Sequence, residues 1–169
     1  MRRFWLLALL LSASPASAAW LKLDRTQDGF LFTGAEDGEP FSFTVPGKEV
    51  RTTRDGDRAF AEIDGVLVQV LLAPAEVPGS ASGLDAHAST EKRYLESLGA
   101  KVSRSSSCSH MALRHQEWSS EFAGRTTYYL TVNTGRRILV VAVVAASTAI
   151  PPSSALETLG AVCSSLTAT

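Results

Sequence analysis

The stretch from Thr126 to Ala149, TTYYLTVNTGRRILVVAVVAASTA, limits the possible folds more than any other part of this chain. It reads as a strand, a turn at Asn133-Thr134-Gly135, and a second strand that is apolar on both faces. Such a strand must be covered above and below, which predicts a mid-sheet position with helices packed against it. In the first strand, Tyr128, Leu130 and Val132 share one face and Tyr129, Thr131 and Asn133 the other. One tyrosine is therefore expected in the core, and the other lies under a helix or faces solvent.

Upstream, Phe41-Ser42-Phe43-Thr44-Val45 alternates apolar and polar and ends at Pro46-Gly47, a half-buried strand with a stop. Gly29 to Thr33 is a shorter strand candidate, and an acidic turn at residues 36–40 joins the two. Arg51 to Arg58 is polar, with Asp55-Gly56 inside it, and reads as a turn or weak edge. Ala59 to Asp64, Gly65, and Val66 to Leu72 give the plainest hairpin signal, because Asp-Gly tolerates the positive φ angles of a two-residue turn.

A connection rich in Pro, Ser, Ala and Gly follows from Ala73 to Gly83. Leu84, Ala88, Glu91, Leu95 and Leu98 then form one stripe of a helix over 84–98, with Asp85 or Ser89 as cap and Gly99 as stop. Lys101 to Arg104 suits a short strand, and Met111 to Phe122 alternates weakly before a turn at Ala123-Gly124. Pro151-Pro152 ends the last strand. Ser154-Ala155-Leu156-Glu157 has the form of a capping box for a closing helix over 153–166, with Leu156, Leu159, Val162, Cys163 and Leu166 on its inner face. Strands joined by short turns are antiparallel, so the expected class is α+β, an antiparallel sheet flanked by two helices.

Residues 1–19 have the layout of an export leader. Arg2 and Arg3 precede the apolar run Phe4 to Leu11, and Ala16-Ser17-Ala18 fits the cleavage pattern. Eight apolar residues are too few to span a bilayer, which needs about 20. No cysteine lies near the cleavage point to carry lipid. A periplasmic or secreted protein is expected, with residues 20–169 as one domain and no transmembrane segment in the mature chain. Without Arg2 and Arg3, fourteen basic residues stand against seventeen acidic ones, and this net charge of about −3 disfavours nucleic acid as a partner.

In an oxidising compartment the two cysteines, Cys108 and Cys163, suggest one bridge across about 55 residues, the alternative being two separate buried thiols. Cys108, His110 and His115, with Glu117 nearby, are the right residue types for zinc or copper. A regular strand over 108–118 would point His115 and Glu117 away from Cys108 and His110, and a disulfide would consume the thiolate. No serine sits in G-x-S-x-G, no glycine has P-loop spacing, and Asp55-Gly56-Asp57 lacks the rest of a calcium loop. No enzyme and no cofactor are expected. Aromatic residues beside arginine, Trp118 near Arg114 and Tyr129 near Arg125, are candidate interface anchors, the alternative being aromatics packed beneath a helix.

The early FSFTVP of Phe41 to Pro46, the helix ending at Gly99, the YYLTVNTGRRILVVAVVA meander and the terminal helix with Cys163-Ser164-Ser165-Leu166 together resemble the PsbP/DcrB-like family over about residues 28–167. The resemblance implies a small α/β sandwich that binds other proteins and generally does no chemistry, with no shared catalytic residue to carry over. The expected function is a non-enzymatic binding or assembly module of the cell envelope, using a sheet face or the 73–84 connection against a protein partner. The rival is a metal-binding or metal-dependent protein using Cys108, His110 and His115. A secretion chaperone is a third reading, against which the leader counts.

Overall fold

The computed structural model describes residues 21–36, 39–55, 58–76 and 83–168. The leader, the tips of the turns at 36–40 and 55–58, and most of the 73–83 connection lie outside the described residues.

Eleven strands and two helices are present among the described residues. In chain order they are β1 (Leu21–Arg25), β2 (Gly29–Glu36), β3 (Glu39–Pro46), β4 (Val50–Asp55), β5 (Arg58–Ile63), β6 (Val66–Pro74), α1 (Leu84–Ser97), β7 (Lys101–Arg104), β8 (His115–Phe122), β9 (Arg125–Asn133), β10 (Arg137–Ala145), α2 (Pro152–Ser165) and β11 (Thr167–Ala168). The strands form two antiparallel sheets, a large one in the order β4-β5-β6-β10-β9-β8-β7 and a small one in the order β1-β2-β3-β11. The architecture is α+β.

The doubly apolar strand is β10, the central strand of the large sheet. Leu139, Val141 and Val143 point into the main core with α2 and the small sheet, while Ile138 and Val140 meet Leu84 of α1 on the opposite face. All five are buried, and each stabilises the fold by roughly 1.5–3 kcal/mol. The helices divide the sheet between them. α2 lies on β6, β9 and β10 and also touches β3, whereas α1 lies across β7, β8 and β9 on the other face.

A single sheet was expected, and two are found. Phe41, Phe43 and Val45 bury one face of β3 almost completely, as their alternation predicts, but that face packs onto the large sheet instead of extending it. An amphipathic hairpin with a wide aromatic face gains more by covering a sheet than by adding to its edge, where its second face would also need cover. Phe32 and Phe43 stack across the β2–β3 ladder with ring centroids 4.7 Å apart. The polar stretch from Arg51 is also more ordered than a turn, since it forms edge strand β4 against β5.

The Asp64-Gly65 turn forms as predicted. Asp64 has φ 47° and Gly65 φ 83°, the left-handed pair that a two-residue hairpin needs. The Asp64 carboxylate then accepts the backbone N–H groups of Lys48 and Glu49, each at 2.9 Å, pinning the chain between β3 and β4. Those hydrogen bonds, from Glu49 first and then Lys48, hold its carboxyl below the ordinary value.

The helix ends differ from expectation. α1 starts after Gly83 with no side-chain cap, so neither Asp85 nor Ser89 fills that role. Both lie inside the helix, past the position from which a side chain reaches the free N–H groups. The stop is as predicted: Gly99, at φ 88°, donates to Glu96 O and Ala100 donates to Leu95 O. In α2 the capping box does not form. Pro151 is the N-cap and Pro152 opens the helix, which moves Ser154 into the first turn, where its carbonyl instead accepts the Thr158 hydroxyl at 2.8 Å.

Candidate functional site

Three places bring together side chains able to bind or react. The first surrounds the cysteines. Cys108 lies in the segment that returns from β7 to β8, and Cys163 lies in α2; their Cα atoms are 5.2 Å apart, and the two sulfurs form a disulfide. Residues 108–114 are not a strand, so the alternation argument that separated His115 and Glu117 from Cys108 does not apply. Instead the segment folds over β8. Glu117 accepts the backbone N–H of Cys108 at 2.8 Å and also that of Ser107, while His115 Nε2 stands 3.6 Å from the same carboxylate. Glu117 is 5% exposed on its side chain, so these N–H groups compensate a charge removed from water. His110 is exposed. Among the described residues no group of three His, Cys, Asp or Glu side chains is arranged to hold a metal ion.

The second place is the underside of α1. Trp118 and Tyr129 are cross-strand partners on β8 and β9, and their rings stack at 3.9 Å and 4°. Both are buried with Ala142, and half-buried Leu95 and Val102 pack against them, so the reading of these two aromatics as exposed anchors is corrected. Helix α1 covers them because their face of β8 and β9 is the one across which it lies. The Tyr129 hydroxyl meets Ser120 at 3.2 Å, and burial pushes its pKa up.

Beside this stack, His87 Nε2 stands 3.3 Å from Glu91 Oε1, with side chains 12% and 4% exposed, and neither His87 Nε2 nor Glu91 Oε2 has a hydrogen-bond partner. Lys92 lies over the Trp118 ring at 5.6 Å, and desolvation first, then the nearby Arg104 charge, lower its pKa. The network continues outward: Lys92 donates to Gln116, Gln116 donates to Asp85, and Arg114 pairs with Asp85 at 2.7 Å. Arg114 is thus on the surface but engaged in tying β8 to α1. Arg125 is exposed at the β8–β9 turn, opposite Phe122.

The third place was not anticipated from sequence. At the open side of the sandwich, β1 and β2 of the small sheet stand over β4 and β5 of the large one, and a cleft of about 410 Å³ lies between them. Leu21, Leu23, Phe30 and Phe32 form one wall, and Val50, Thr52, Ala59 and Ala61 the other. Lys22 and Arg25 are the charged residues of the lining, which contains no carboxylate. Arg25 lies 5.2 Å over the Phe30 ring and donates to the Lys48 carbonyl, while Lys22 pairs with Asp24 at 2.8 Å at an exposed position. The cleft lies between two pairs of strands that belong to different sheets, so no local pattern encodes it.

No known protein family, characterised protein or solved structure matches this chain. No helix among the described residues is long and apolar enough to cross a membrane.

What the three places can do chemically differs. The cysteine region is committed to structure by its bond and by the backbone contacts of Glu117. The α1 underside holds a buried carboxylate, an imidazole and a phenol within one packed layer. The cleft alone combines volume, apolar side chains and a few polar and charged ones, the ordinary composition of a binding surface.

Proposed function

We propose that this chain is an exported, non-enzymatic binding or assembly module of the cell envelope that engages a protein partner. The observation that carries the reading is the cleft between β1–β2 and β4–β5, lined by apolar side chains together with threonines, Lys22 and Arg25. It sits beside β4, an edge strand that an incoming chain can reach. The resemblance to PsbP/DcrB-like proteins, the leader-like residues 1–19 and the Cys108–Cys163 bond support export and a binding role. The rival reading, a metal-carrying protein using Cys108, His110 and His115, would require the thiolate that pairing with Cys163 consumes.

The test is photo-crosslinking in the native envelope, with the reactive group placed in turn at Thr52, Arg93, Leu98 and Leu156, which sample separate surfaces. A discrete adduct to one protein from any of these positions is the expected result. Absence of an adduct from all four, or copurification of the native protein with one equivalent of zinc or copper, would overturn the reading.

A further inference from the structure

Strand β4 carries hydrogen-bonding groups that its own sheet does not use. β5 pairs with β6 through a two-residue turn in which Ile63 and Val66 close the ladder. In antiparallel pairing the residues of a strand bond alternately to the neighbours on its two sides. Ile63, Ala61 and Ala59 therefore bond toward β6, leaving Glu62, Phe60 and Arg58 to bond toward β4. Their partners in register are Arg51, Thr53 and Asp55. The N–H and C=O groups of Val50 and Thr52 consequently point outward, and among the described residues no strand pairs with that side. The Val50 and Thr52 side chains line the cleft.

We propose that the β4 edge and the cleft beneath it form a docking site for an extended acidic peptide segment, added to the large sheet as a further strand with alternate apolar side chains entering the cleft. This deepens the binding-module reading and rests on it. Strand addition supplies backbone hydrogen bonds, while a pocket for every second side chain supplies selectivity. The occupant is acidic because its side chains on the face away from the cleft meet that face of β4, where Arg51 is exposed.

The probe is a fluorescein-labelled peptide of alternating valine and glutamate, matched in length to β4, with an alternating valine–lysine peptide as control. Each is titrated into the full chain and followed by anisotropy, with amide exchange at Thr52 read in parallel. The glutamate peptide is expected to bind at least about tenfold more tightly than the lysine peptide and to slow exchange of the Thr52 N–H. Thr52→Pro removes that outward N–H without touching the β4–β5 ladder, and is expected to weaken binding at least about tenfold. Arg51→Glu, at an exposed position on the face the glutamates meet, is expected to weaken it several-fold and keeps the test decisive should Thr52→Pro not fold.

No binding of the glutamate peptide, equal binding of both peptides, or unchanged exchange at Thr52 would overturn the proposal. A partner crosslinked only from α1 or α2 would also overturn it while leaving the binding-module reading intact.

Discussion

Asp64 shows how much a single residue can do in this fold. Its backbone takes a left-handed turn conformation while its carboxylate collects two N–H groups from the chain entering β4. The folded-state pKa is lowered, so this stabilisation is present above the unfolded value near 3.8 and is lost as pH falls through the folded value. Asp64→Asn keeps the turn preference but can accept only one of the two hydrogen bonds. The variant is expected to lose about 1 kcal/mol or less at neutral pH, the site being exposed. The gap between the two proteins should begin to narrow as pH falls toward 3.8 and close as it falls through the folded value. Urea unfolding at pH 7 and pH 3 measures both. The turn was legible from Asp-Gly between apolar runs, but the carboxylate's partners were not, since Lys48 and Glu49 reach it only once β3 has left the large sheet.

At the scale of elements, α1 is the instructive case. Its stripe of Leu84, Ala88, Glu91, Leu95 and Leu98 was read from spacing; Leu84, Ala88 and Glu91 are buried, whereas Leu98, past the last helical turn, is exposed. What spacing does not reveal is that a carboxylate within the stripe would be buried with one imidazole beside it, that of His87, four residues earlier at 3.3 Å. His87→Leu leaves Glu91 buried without a partner and is expected to cost about 1–3 kcal/mol. The double variant His87→Leu/Glu91→Met replaces the pair with apolar groups and should recover at least the parental stability. A chemical-denaturation cycle decides it, and a single variant as stable as the parent would show that the pair does not act together. The helix ends follow the same lesson. Capping patterns at Asp85, Ser89 and Ser154 were present, yet the backbone entered through Gly83 and Pro151 and placed those side chains inside the helices.

At the scale of the whole molecule, the Cys108–Cys163 bond joins the segment before β8 to α2 across 55 residues of chain. The chain-entropy model assigns a loop of that length on the order of 4 kcal/mol. Cys108→Ser/Cys163→Ser is expected to lose up to about that amount, most visibly as a fall in the urea midpoint, with a steeper slope because the unbridged chain exposes more surface when unfolded. A pair of variants with unchanged midpoints would mean that the packing of α2 alone holds that segment. The sequence by itself determined both helices and most of the strands, the antiparallel pairing of adjacent strands, the central place of β10 and the buried faces of β3 and, Leu156 apart, of α2. Each depends on periodicity or on a short turn, and both are local. Tertiary structure decided the separation into two sheets, the burial of Trp118 and Tyr129, the approach of Glu117 to Cys108, and the cleft. Those features depend on which face lies over which, a competition between surfaces distant in the chain that no window of sequence contains.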